Sequence, residues 1–166
     1  MSEQLFHVIG MTDEQVCSFP VEVYTIIQRG KVFSGGKRHH EIVASLLPED
    51  ALWIDITVPL DLVFRQYEAY NEIIVFASGD PLFFGFANTL KKRLPEAIIK
   101  VFPTFNSLQL LAHRLLLPYQ DMRIVSLTGR PWQKFDEALI RGEKMMGILT
   151  DRQKTPSSIA ERMLEY

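Results

Sequence analysis

Ile73-Ile74-Val75-Phe76-Ala77 is an unbroken apolar run that ends abruptly in Ser78-Gly79-Asp80-Pro81. A strand apolar at every position has both faces covered, which places it at the centre of a parallel sheet with helices on either side. The rest of the chain follows the pattern this demands. Short apolar runs alternate with helix-like stretches, predicting α/β architecture. Besides 73–77, strands are expected over 5–9, 31–34, 52–57, 98–102, 123–127 and 145–149. Helices are expected over 20–28 and 37–47, from Pro59 to about Tyr67, from Pro81 to about Leu94, over 107–117, over about 132–141, and from Pro156 onward. Gly30, Gly35-Gly36, Pro48 and Pro118 punctuate these elements.

Between residues 117 and 123, Pro118-Tyr119-Gln120-Asp121 separates five β/α units from two more. Two lobes are expected: a mainly parallel α/β lobe over 1–117 and a smaller α/β lobe over 118–166. The second would stop inside or just after a helix with its last sheet edge uncovered, the pattern of an incomplete lobe.

The 166 residues and 47% apolar content suit one ordinary domain or two small lobes with a packed interior. No apolar run approaches the roughly 18–20 residues a membrane helix needs. Met1-Ser2-Glu3-Gln4 lacks the basic start and apolar core of a signal peptide. The lone Cys17 excludes an internal disulfide and fits a reducing compartment, so a cytoplasmic location is expected. A net charge of −2 predicts no broad attraction to nucleic acid or membranes. Residues 23–40, however, contain no acidic side chain while holding Arg29, Lys31, Lys37, Arg38, His39 and His40. Such a stretch can hold a polyanionic small molecule locally.

The turn at 78–81 suits either a ligand or a helix start. Gly79 permits positive φ and close backbone approach, and open α/β sheets place ligands at the carboxyl ends of central strands. Asp80 and Pro81 equally suit the N-cap and first position of a helix. Lys91, Lys92 and Arg93 would then complement the dipole in its last turn. Asn106 and Ser107 have the same two readings, ligand contact or N-cap. No Ser/His/Asp, Cys/His or paired-carboxylate arrangement argues for hydrolysis. Adjacent His39 and His40 diverge on a helix and make a poor chelating pair, and His113 sits in an apolar helix. No metal is expected.

Ala77-Ser78-Gly79-Asp80-Pro81-Leu82-Phe83-Phe84-Gly85 resembles the Gly-Asp-Pro signature of the tetrapyrrole (corrin/porphyrin) methylases. Three further stretches agree with that family in order and spacing: Ser34-Gly35-Gly36-Lys37-Arg38-His39-His40, Phe102-Pro103-Thr104-Phe105-Asn106-Ser107-Leu108-Gln109-Leu110, and Val125-Ser126-Leu127-Thr128-Gly129-Arg130. The resemblance covers essentially the whole chain. It is strongest to the branch that methylates precorrin-7 or cobalt-precorrin-7 at ring carbon 5 in cobalamin biosynthesis.

The resemblance implies a two-lobe fold, S-adenosyl-L-methionine as cofactor with S-adenosyl-L-homocysteine as product, and a corrin-precursor substrate. It assigns Ser78, Gly79, Asp80 and Phe83 to the methionine and sulfonium side of the cofactor. Asn106 and Ser107 match further cofactor contacts, and Met146 with Gly147 matches contacts near the adenosine. Without the resemblance, Met146 reads as core packing. The substrate's own conjugation makes its ring carbon nucleophilic, so no catalytic side chain is implied beyond a positioning role for Asp80. The family opens with a Gly-x-Gly-Pro-Gly turn after the first strand; here Met11-Thr12-Asp13-Glu14 follows, and only Gly10 carries over. Lys37 and Arg38, at a helix start that favours anions, are expected to meet the acetate and propionate groups of the substrate. A homodimer is expected, as is a partnership or fusion with a carbon-15 methyltransferase/decarboxylase. The alternatives are another tetrapyrrole methylase, or a non-catalytic tetrapyrrole- or cofactor-binding fragment of a longer bifunctional protein. The family fold also serves RNA methylation, but the chain lacks the broad basic, aromatic-interleaved stretches that RNA requires.

Overall fold

The computed structural model describes residues 4–14 and 18–166; Cys17 and residues 1–3, which bore on the expected compartment, lie outside the described residues. The chain separates into two compact units, Met1–Asn106 and Ser107–Tyr166.

The first unit contains β1 (Leu5–Met11), α1 (Val21–Arg29), β2 (Val32–Gly35), α2 (Lys37–Val43), a 3₁₀ turn over Ala44–Leu46, β3 (Leu52–Asp55), α3 (Leu60–Tyr67), β4 (Glu72–Ser78), α4 (Phe86–Arg93) and β5 (Ile98–Phe102). The five strands form one parallel sheet in the order β3-β2-β4-β1-β5. β4 is central, as its composition requires. Ile73, Val75 and Ala77 share a cluster with Val63, Phe64 and Tyr67 of α3 and with Ala87 and Leu90 of α4. Ile74 and Phe76 turn the other way, onto Val23 and Ile27 of α1 and Val43 of α2. Each fully buried side chain of this size contributes about 1.5–3 kcal/mol before chain entropy is charged against it. Burial on β4 therefore outweighs any of the exposed ion pairs, each worth at most about 1 kcal/mol.

A hydrogen-bonded polar pair lies inside this apolar interior. Ser34 on β2 is fully buried and donates to the Ile54 carbonyl at 2.7 Å. Its single proton is thereby used, so the Tyr67 hydroxyl, 2.7 Å away, donates to Ser34 Oγ. Burial pushes the Tyr67 phenol up to about 12. Gln4 ties the end of α3 down by donating to the carbonyls of Tyr67 and Tyr70, both at 2.8 Å.

The helix after β4 departs from expectation. Pro81 is not its first residue and Asp80 is not its cap: α4 begins at Phe86, with Gly85 as its N-cap. Asp80 instead closes a tight turn, its Oδ1 accepting from Leu82 N at 2.9 Å and its carbonyl accepting from Phe83 N at 2.9 Å. Phe84 then takes φ +54°, which no helix continues through. Gly85 is required because a Cβ there would stand 2.4 Å from the Pro81 carbonyl oxygen. Lys91, Lys92 and Arg93 do occupy the last turn of α4.

The second unit comprises α5 (Ser107–Leu115), β6 (Arg123–Ser126), α6 (Gln133–Ile140), β7 (Met146–Leu149) and α7 (Pro156–Met163). β6 and β7 pair in parallel. Val125, Leu127, Phe135, Ala138 and Ile159 form the core between this pair and helices α6 and α7. α5 belongs with this unit, so the boundary falls ahead of the Pro118 stretch; Leu108 lies against the Gly147 position on β7. Arg162 of α7 grips Asp136 of α6 with two hydrogen bonds of 2.6 Å and lies over the Trp132 ring. Thr155 caps α7, accepting from Ser158 N, with Pro156 in the first turn. No helix among the described residues is long and apolar enough to cross a membrane.

Candidate functional site

Strands β1 and β4 are neighbours, yet their connections run in opposite directions on opposite faces of the sheet. β1 leads through α1 to β2 on one side, while β4 leads through α4 to β5 on the other. Such a switch point leaves a crevice at the carboxyl ends of the two strands. The 78–81 turn sits there.

Its backbone bends over the end of β1. Gly79 N donates to the Met11 carbonyl at 2.7 Å, and the Gly79 carbonyl accepts from Thr104 N at 3.4 Å. Gly79 has φ +62°, and a Cβ on it would come within 2.9 Å of Asn106 Cα. Gly10 closes the arrangement from below. Three segments far apart in sequence thus converge here: the end of β1, the turn after β4, and the stretch 104–106 after β5. Of the residues expected to contact a ligand, Gly10, Ser78, Gly79, Asp80 and Asn106 belong to this one junction. Ser78 is exposed, Asp80 and Asn106 are half-buried, and Phe83 is half-buried beside Phe84 at 5.1 Å between ring centroids.

The basic stretch joins the same edge through a residue given no role by sequence. His39 Nε2 lies 3.0 Å from Ser78 Oγ, while its Nδ1 accepts from Gly36 N at 3.2 Å. Burial, then Arg38, hold the His39 imidazolium below its ordinary range, with Asp13 acting weakly the other way. His40 points elsewhere, stacked on Trp53 at 4.2 Å between ring centroids. The two histidines diverge as adjacent helical positions must. Lys37 is exposed at the first position of α2. Arg38 is also exposed and pairs with Asp13, in the loop that replaces the expected glycine-rich turn. A histidine three residues after a Gly-Gly turn was the one available signal for the Ser78 contact, and it did not name the partner.

Ser107, Met146 and Gly147 belong to the second unit. Ser107 opens α5. Met146 packs against the core of that unit. The space a Cβ would take at Gly147 is filled by Met122 Sδ at 2.3 Å and Leu108 Cδ1 at 2.9 Å, so packing accounts for this glycine. The Thr128-Gly129-Arg130 loop after β6 is pinned by Asp151, whose carboxylate accepts from the backbone N–H groups of Lys154, Gly129 and Gln153. These bonds hold the Asp151 carboxyl down at about 2. Among the described residues no group of three or more His, Cys, Asp or Glu side chains is placed to hold a metal ion.

The sequence pattern of the family described as Tetrapyrrole (Corrin/Porphyrin) Methylases matches residues 6–166. A precorrin-6Y C(5,15)-methyltransferase [decarboxylating] from Sinorhizobium sp is 33% identical over 160 residues, covering 95% of this chain and 38% of that protein. A cobalt-precorrin-7 C(5)-methyltransferase from Salmonella typhimurium is 26% identical over 139 residues, covering 83% of this chain and 67% of its own length. Among solved structures, a precorrin-6Y methylase from Archaeoglobus fulgidus superposes with TM-score 0.64 at 20% identity, covering 89% of this chain and 73% of that one. A uroporphyrin-III C-methyl transferase from Thermus thermophilus, complexed with S-adenosylhomocysteine, superposes with TM-score 0.63 at 18% identity, covering 98% of this chain and 72% of that one.

Proposed function

Because the chain belongs to the tetrapyrrole (corrin/porphyrin) methylase family, we propose that it binds S-adenosyl-L-methionine and methylates ring carbon 5 of precorrin-7 or cobalt-precorrin-7. The observation that carries this reading is the junction at the β1/β4 switch point, where Gly10 and Gly79 bring backbone close together beside Ser78, Asp80 and Asn106. Support for the substrate comes from the Salmonella and Sinorhizobium relatives, whose names both include carbon 5. The chain spans 38% of the length of the Sinorhizobium relative, which also acts at carbon 15, so a share in a longer bifunctional activity is the second reading.

The site's residues suit the cofactor. Glycine at 10 and at 79 lets three backbone segments meet closely at this junction, where the short polar side chains of Ser78, Asp80 and Asn106 are proposed to face a ligand. Asp80 offers a carboxylate to an ammonium group while its turn hydrogen bond fixes its orientation. Phe83 follows in the same turn, its N–H donating to the Asp80 carbonyl, and Asn106 reaches the junction from the stretch after β5. In the second unit, Ser107 is proposed as a further cofactor contact and Met146 with Gly147 as contacts to the adenosine, on the family pattern alone. When bound, the cofactor supplies an electrophilic methyl group on a sulfonium. The chain's contribution is then alignment and exclusion of water, since the substrate carbon is itself nucleophilic.

Lys37 and Arg38 are proposed to receive the substrate's carboxylates. The exposed Arg38–Asp13 pair is no obstacle, because such a pair contributes at most about 1 kcal/mol and exchanges readily for a better carboxylate. The test is twofold: calorimetric binding of S-adenosylhomocysteine, and transfer of labelled methyl from S-adenosylmethionine to precorrin-7, cobalt-precorrin-7 and uroporphyrinogen. Binding with transfer to either precorrin-7 form is the expected result. Transfer only to another tetrapyrrole would overturn the carbon-5 assignment, and binding without transfer would favour the longer bifunctional protein.

A further inference from the structure

The geometry points to His39 as a positioning residue that holds the Ser78 hydroxyl ready to donate a hydrogen bond to a ligand carboxylate at the crevice. This rests on reading the crevice as the cofactor site.

A backbone amide N–H can only donate. Gly36 N–H aims at His39 Nδ1, so that nitrogen presents its lone pair and the neutral ring carries its proton on Nε2. Nε2 then donates to Ser78 Oγ at 3.0 Å. With one of its lone pairs engaged by His39, the hydroxyl turns its own proton toward another acceptor. Ser78 is exposed at the end of β4, one residue before the turn glycine Gly79, so the acceptor it meets comes from solution.

The ring is fixed for this task. Gly36 and His39 are the N-cap and third residue of α2, locking the imidazole to its own helix start. Gly35 lets it sit close to the sheet: a Cβ there would stand 3.2 Å from His39 Cβ and 3.1 Å from Trp53. On the next residue, His40 stacks on Trp53 and sets the roll of the helix. Asp80 is two residues beyond Ser78. A hydroxyl donor and a carboxylate two residues apart on one turn suit the two ends of an amino-acid group, the carboxylate to Ser78 and the ammonium to Asp80.

The test compares His39→Asn, His39→Gln and Ser78→Ala by calorimetry with S-adenosylhomocysteine and with its decarboxylated analogue. Asn can still accept from Gly36 but falls short of Ser78, whereas the Gln amide reaches Ser78. His39→Asn is expected to weaken S-adenosylhomocysteine binding about fivefold, the size of one hydrogen bond. His39→Gln is expected to restore most of it. In a Ser78→Ala background, His39→Asn should have no further effect, and the decarboxylated analogue should be indifferent to all three changes. Additive losses, or equal losses with the analogue, overturn the proposal. Nitrogen-15 NMR of the imidazole gives a readout independent of any ligand: the Nε2–H tautomer is expected, and an Nδ1–H tautomer overturns it outright. Wild-type protein that binds no S-adenosylhomocysteine overturns the cofactor reading, and with it the ligand assigned to Ser78, while the tautomer still decides the His39–Ser78 bond.

Discussion

The carbonyl oxygen of Gly79 lies only 2.0 Å from where a Cβ on residue 10 would stand. Thr104 N is 2.9 Å from the same point, so the obstruction is backbone on two sides and cannot rotate away. Gly10 is therefore the residue that lets the turn after β4 fold over the end of β1.

Gly10→Ala should force β1 and the 78–81 turn apart. Inserting a methyl into close-packed surroundings costs about 1–3 kcal/mol, and rigid backbone neighbours put this case at the upper end. Urea denaturation is expected to show that loss, with S-adenosylhomocysteine affinity reduced by more than tenfold. Retained affinity would mean the junction does not line the pocket.

Asp80→Asn separates the turn from the charge. The Asn Oδ1 can accept from Leu82 N as the carboxylate does at 2.9 Å, so stability should stay within about 0.5 kcal/mol. Cofactor affinity should fall about tenfold, in line with the loss of a charge-assisted hydrogen bond. If binding and turnover both survived, Asp80 would be a turn-former only.

The buried Ser34–Tyr67 pair predicts an asymmetry. Ser34→Ala strips the Tyr67 hydroxyl of its acceptor inside the core and should cost about 1–3 kcal/mol, the desolvation penalty of an unsatisfied group. Tyr67→Phe leaves Ser34 bonded to Ile54 and should cost less, about 0.5–1.5 kcal/mol. Equal losses in thermal or urea unfolding would contradict the donor assignment.

Asp151 sets an acid limit. Backbone N–H groups of Lys154, Gly129 and Gln153 lower its pKa from 3.8 to about 2 on folding. A depressed folded value means the unfolded chain binds the proton more readily. The stabilisation is therefore complete above the ordinary carboxylate value and is lost as pH falls from about 4 toward 2. Asp151→Asn should flatten the pH dependence of the urea midpoint in that window and lower the midpoint near pH 7, where the carboxylate's stabilisation is complete. An unchanged slope would remove Asp151 from the account.

Period and composition were enough to determine the parallel sheet, because a strand apolar at every position has only one comfortable place. β5 falls where its apolar run lies, and α3 follows Pro59 as that proline requires. The turn chemistry of Ser78-Gly79-Asp80 was also legible, since positive φ at glycine and a carboxylate capping nearby amides are local properties. What the turn leads into was not. The late start of α4 depends on Gly85 meeting Pro81 and on Phe84 at positive φ, a compromise among neighbours that Asp-Pro disguises as a helix start. The boundary ahead of α5 likewise follows from where Leu108 packs, not from the Pro118 stretch. Gly10 looked like the remnant of a lost loop, and His39 like half of an adjacent pair. Only the folded chain decided that Gly10 supports Gly79 and that His39 reaches Ser78, because those contacts join segments 69 and 39 residues apart, and local sequence carries no record of the distance between them.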